Sequence, residues 1–227
     1  MPSWITHLAT ANKLCEKINI EDKNSFLFGN VMPDILNNYI VKETKEHKEY
    51  EITHFTDALT INGITYPFPN PNKFFEKYKD KMNNFVVYGF YVHLLTDYYW
   101  NKLSYQNHFE NKDGLVEVKF SDGICENFEY NSAIKIKQQD FKIFTEYLKE
   151  TYTTDKITYS DNLLELSREI IQTPLTKEDI EKTIIAVDEH LKNKIDLSER
   201  KYKLFTQDNL NTYFDESIDW IIEQLSK

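Results

Sequence analysis

The sequence predicts a mainly α fold, a compact multi-helix bundle forming a single domain over residues 1–227, and three observations support that prediction. Only five Gly and six Pro occur among 227 residues, too few for many short strands joined by tight turns. Hydrophobic residues make up 41% and aromatics 15%, ample material for a packed core. Most segments space their apolar residues three and four apart, the period of a helix with one buried face.

In chain order, Trp4 to Ile18 places Leu8, Ala11, Leu14, Cys15 and Ile18 on a helical stripe, with Ser3 available as N-cap. Phe26 to Tyr39 reads as two short helical pieces broken at Met32-Pro33, because the residue before proline avoids the helical region. Glu43 to Glu51 is a charged stretch, a solvated loop or helix end. Ile64 to Asn72 contains three prolines and must be extended or turning. Lys73 to Lys81 is a short amphipathic helix. Asn84 to Leu103 carries Phe85, Val86, Val87, Phe90, Val92, Leu94 and Leu95 on nearly every side, the pattern of a central buried helix. Gly114 to Ile136 alternates apolar and polar residues around Ser121-Asp122-Gly123, a small β-hairpin near 115–135 or an irregular excursion. Gln138 to Leu148, Asp161 to Gln172, Lys177 to Lys194 and Asn209 to Leu225 complete the set as amphipathic helices.

The formal net charge is −10, with 27 Lys+Arg against 37 Asp+Glu. So acidic a chain lacks the dense basic surface of a nucleic-acid binder, and an anionic membrane would repel it. No basic-then-apolar leader follows Met1, and no apolar run approaches the roughly 20 residues of a membrane span. A cytoplasmic protein without stable membrane anchoring is expected. Cys15 and Cys125 sit in unrelated contexts and do not form a disulfide framework.

A buried helix tolerates charge only when it is paired or bound to metal. The most apolar helix nevertheless carries His93 and Asp97, four residues apart and therefore on one face. Gly89, one turn earlier, costs about 1 kcal/mol relative to alanine in a helix and so makes room for something close. Imidazole with carboxylate suits zinc or a similar cation; the plainer reading is that the pair hydrogen-bond each other. His7 lies in the first turn of an apolar helix, Asp34 follows Met32-Pro33 among Phe28, Val31 and Ile35, and His54 stands in Thr53-His54-Phe55. For these the plainer readings are a capping or core histidine, an exposed helix cap and a partly exposed loop histidine. His47 and His190 sit among charges and read as solvated; His108 is intermediate.

The order Thr6-His7-Leu8, Pro33-Asp34, Thr53-His54-Phe55, then His93-x-x-x-Asp97 resembles the bacterial zinc-dependent phospholipase C family, related in fold to the S1/P1 nucleases. The resemblance covers Trp4 to about Trp100 and implies a bundle of the phospholipase C/P1 nuclease type. It implies that Asp34, His54, His93 and Asp97 surround one zinc and that Asp97 bridges to a second ion held by His7. In the family the second ion also takes the amine and carbonyl of an N-terminal tryptophan. Trp4 is internal here, and Pro2, exposed on removal of Met1, is the substitute amine. The family's further ligands, two histidines and a glutamate soon after HxxxD, are missing; only His108 and Glu110 stand nearby.

The implied cofactor is one or two zinc ions or another divalent metal, and the implied activity is hydrolysis of a phospholipid or small-molecule phosphoester, with Asp34 as general base or ligand. Two alternatives stay open. One is a metal-dependent phosphohydrolase acting on a small non-lipid phosphoester. The other is a non-catalytic helical protein that keeps part of a metal site.

Overall fold

The computed structural model describes residues 3–44, 46–152, 155–197 and 200–227. The chain is mainly helical with two small antiparallel sheets. Helix α1 (Trp4–Lys17) starts at Ser3, whose hydroxyl caps the Thr6 amide and also bonds Thr145 at 2.6 Å. Helix α2 (Lys23–Gly29) is capped by Asp22 and leads into a 3-10 turn at Met32–Asp34. The two helical pieces are separated at Asn30-Val31, just before the expected break at Met32-Pro33, and Met32 and Pro33 open the 3-10 turn instead. Helix α3 (Tyr50–Thr53) is one turn long and ends at His54. After α4 (Pro71–Tyr78) comes α5 (Phe85–His108), capped by Asn84 and buried from Val86 through Tyr105 on several sides. Helices α6 (Tyr130–Thr151), α7 (Asp161–Ser167), α8 (Lys177–Lys192) and α9 (Gln207–Leu225) follow. With them the second half of the chain packs around α1 and α5.

What positions the site is the contact between α2 and α5. A Cβ on Gly89 would lie 2.2 Å from the Phe26 carbonyl oxygen and 3.0 Å from Gly29 Cα. A Cβ on Gly29 would lie 2.3 Å from the Val86 carbonyl oxygen. The two glycines let the helix backbones touch, so the room inferred at Gly89 is filled by the backbone of α2.

The strands depart from expectation in two ways. The hairpin near 115–135 is a three-stranded sheet of β3 (Phe109–Lys112), β4 (Leu115–Lys119) and β5 (Cys125–Phe128), ordered β3-β4-β5. The Asp122-Gly123 turn is present between β4 and β5, but residues from Tyr130 onward are already helical. Ala133, Lys137, Phe141 and Phe144 recur at helical spacing on the buried side of α6, and that period outweighs the preceding alternation. The second departure is a hairpin of β1 (Asp57–Ile61) and β2 (Ile64–Phe68), paired from Asp57↔Phe68 to Ile61↔Ile64. Its turn is Asn62-Gly63, both with positive φ (49° and 75°), which favours a two-residue hairpin. Helix α7 also stops at Ser167, short of the expected Gln172, and tight turns carry the chain to Thr173.

Candidate metal centre

The structure brings His7, Asp34, His54, His93 and Asp97 together, and all five side chains are buried. They come from four segments: His7 from α1, Asp34 from the 3-10 turn, His54 from the end of α3, and His93 with Asp97 from α5. The plainer readings for Asp34 and His54, an exposed cap and a partly exposed loop residue, do not hold.

Asp97 divides its two oxygens. Oδ1 faces His7 Nε2 at 3.2 Å, while Oδ2 faces His54 Nε2 at 3.4 Å and His93 Nε2 at 3.7 Å. Asp34 Oδ1 lies 3.5 Å from His54 Nε2. The His7 and His93 rings stack at 3.8 Å, and Tyr50 stacks on His54 at 4.0 Å.

A hydrogen bond on the far side of the His93 ring fixes where its lone pair points, and one on the far side of His54 bears on the same question. His93 Nδ1 lies 2.8 Å from the Asn30 carbonyl oxygen, which can only accept, so Nδ1 carries the proton and Nε2 the lone pair of the neutral ring. The α2–α5 contact delivers that carbonyl, because Asn30 directly follows Gly29. His54 Nδ1 lies 2.8 Å from the Thr53 hydroxyl, which can donate to the Tyr50 carbonyl. When the Thr53 hydroxyl donates to Tyr50 it accepts from Nδ1–H, and in that tautomer His54 Nε2 also bears a lone pair. When it donates to Nδ1 instead, His54 Nε2–H donates to His93 Nε2.

The two Nε2 atoms then face each other at 3.2 Å. In the first tautomer two lone pairs meet in a buried site, which is repulsive unless a cation lies between them. A proton on His93 is disfavoured, since burial, with His7 alongside, lowers its pKa to about 3. Two nitrogens each about 2.0 Å from a shared tetrahedral ion stand roughly 3.3 Å apart, close to the observed separation.

The carboxylates point the same way. Burial alone would raise the Asp97 and Asp34 pKa values, yet neighbouring histidines, His7 beside Asp97 and His54 beside Asp34, hold both low. Both nitrogens of His7 and both oxygens of Asp97 are buried without a well-aligned hydrogen bond. An ionised group left so costs several kcal/mol. A cation bound among these donors would satisfy all of them. The cluster can hold a metal ion, and its atoms fall into two overlapping groups, His7/Asp34/His93 and His54/His93/Asp97.

His108 and Glu110 do not join it. His108 Nδ1 bonds the Lys119 carbonyl at 2.9 Å, and Glu110 is exposed on β3. His47 is exposed and His190 half-buried against Trp4. Met1 and Pro2, the suggested amine ligand included, lie outside the described residues.

Asp34 also lines a cavity of about 340 Å³ together with Trp4, Tyr39, Tyr66, Lys137 and others. A cleft of about 400 Å³ elsewhere, between β1, α5 and α9, touches none of the five residues. Several site residues escaped the sequence reading. Asn30 acts through its backbone, which no side-chain pattern reveals. Lys137 did leave a signal, a lysine in the apolar stripe Ala133, Lys137, Phe141, Phe144. No helix among the described residues is long and apolar enough to cross a membrane. Compared with known proteins, the chain matches no family model, no curated protein and no solved structure.

Proposed function

We propose that this chain is a divalent-metal-dependent phosphoester hydrolase, built on a bundle of the phospholipase C/P1 nuclease type. The observation that carries the reading is the pair of buried Nε2 atoms on His54 and His93, 3.2 Å apart and faced by Asp34 and Asp97. Three imidazoles and two carboxylates suit zinc better than the all-oxygen preference of magnesium or calcium. The division of the Asp97 oxygens between His7 and the other two histidines supports two adjoining positions that share Asp97.

Ions bound there supply Lewis-acid activation of water and neutralise charge on phosphoryl oxygens. The residues themselves do the rest. Asn30 and Thr53 hold His93 and His54 in the tautomer that presents Nε2. Asp97 stays ionised and keeps the centre's charge balanced. Asp34 stands at the boundary between the cluster and the cavity, so its carboxylate is placed to take a proton from water arriving there or to serve as a further ligand.

The test is hydrolysis of bis(p-nitrophenyl) phosphate before and after chelation. Activity lost on chelation, regained with zinc, and reduced about 100-fold or more in His93→Ala and Asp97→Ala is the expected result. Turnover that survives complete chelation contradicts the reading. Asp34→Asn separates its two roles: metal retained with kcat lowered marks a base, and metal lost marks a ligand.

A further inference from the structure

Lys137 lies on α6 and is almost completely buried. Its Nζ donates to Asn101 Oδ1 at 3.1 Å and lies 5.3 Å from the centre of the Tyr105 ring. An ammonium has three protons to donate and no capacity to accept, and here one neutral amide takes one of them. No carboxylate among the described residues comes within ion-pairing distance of it. Asp97, beyond ion-pairing distance, still favours the charged form, and an anion in the cavity beside Lys137 would supply the nearer counter-charge that a buried cation gains from.

Its location says which anion. Asn101 follows Asp97 by one turn of α5, so His93, Asp97 and Asn101 run along one face and the last of them anchors Lys137. Lys137 also lines the 340 Å³ cavity that Asp34 borders. Lys142, one and a half turns further along α6, adds a second cation at the exposed rim of the same cavity. Asp34 is the single carboxylate among the described lining residues, and it faces His54. Burial lowers the Lys137 pKa to about 8, which leaves the group mostly protonated at neutral pH.

From this juxtaposition we infer that the cavity holds the anionic phosphoryl group of the substrate on Lys137. The inference rests on the phosphoester reading for the substrate's chemistry, but the anion site stands on its own residues.

Calorimetric titration of the full chain with inorganic phosphate and glycerol phosphate, with metal content measured on each sample, tests it, and both should bind. Lys137→Met should weaken phosphate binding about tenfold or more, the worth of a charged hydrogen bond, with metal content unchanged. Lys142→Gln, at the exposed rim, should weaken it by a smaller factor and serves if Lys137→Met does not fold. Wild-type phosphate affinity in Lys142→Gln and in any folded Lys137→Met, or no phosphate binding by the wild type, would each overturn the inference. Absence of metal with phosphate binding still dependent on these lysines would sink the hydrolase reading and leave the anion site standing.

Discussion

At the scale of single residues, the proposed centre depends on two groups that never face the cluster. The Asn30 carbonyl accepts a hydrogen bond from His93 Nδ1 and so aims its Nε2 lone pair inward, and the Thr53 hydroxyl does the same for His54 in the metal-binding tautomer. Removing such a partner typically weakens metal binding about 10- to 100-fold. Thr53→Val keeps the side chain's shape and removes the acceptor. Its metal affinity, measured by competition with a chromophoric chelator, should fall by that factor while Thr53→Ser stays near wild type. Equal affinities in all three proteins would show that the hydroxyl does not orient His54. The residue types of the cluster were legible in advance because His93 and Asp97 are polar groups on the most apolar helix. Their orienting partners were not, because a backbone carbonyl looks the same in every sequence and Thr53 is an unremarkable neighbour of a histidine.

At the scale of elements, the contact between α2 and α5 gives a sign test. An ordinary Gly→Ala change inside a helix stabilises by about 1 kcal/mol. At Gly89 the new methyl would meet the Phe26 carbonyl oxygen at 2.2 Å, a contact between backbones that no rotamer change relieves. Gly89→Ala should therefore destabilise by about 1–3 kcal/mol, as overpacking does. It should also weaken metal binding, since pushing α2 away takes Asn30 from His93. Urea denaturation and the same chelator competition read both effects, and a stabilised Gly89→Ala protein would contradict the described contact. The long helices were readable because burying one face imposes a 3.6-residue period over many residues. The strands were harder. In β1 and β2 the exposed and half-buried positions give little alternation, and the informative signal was the Asn62-Gly63 turn. At Tyr130 an alternating stretch runs straight into a helical one, and no proline or glycine marks the boundary.

At the scale of the whole molecule, the cluster ties together α1, the 3-10 turn, the end of α3 and the central helix α5. An ion bound there links segments from residue 7 to residue 97, and a ligand that binds only the folded chain stabilises it by about 4 kcal/mol at a thousandfold excess over its Kd. Without that ion the fold carries a buried carboxylate with no aligned donor at its centre. Metal binding and stability are thus expected to be one property of the chain. The most direct test is elemental mass spectrometry on protein purified without chelator, beside folded His93→Ala and Asp97→Ala variants. The account predicts one or two equivalents of zinc or another divalent metal in the wild type and a clear loss in both variants. Wild-type protein without bound metal, or metal content unchanged by both substitutions, would contradict it.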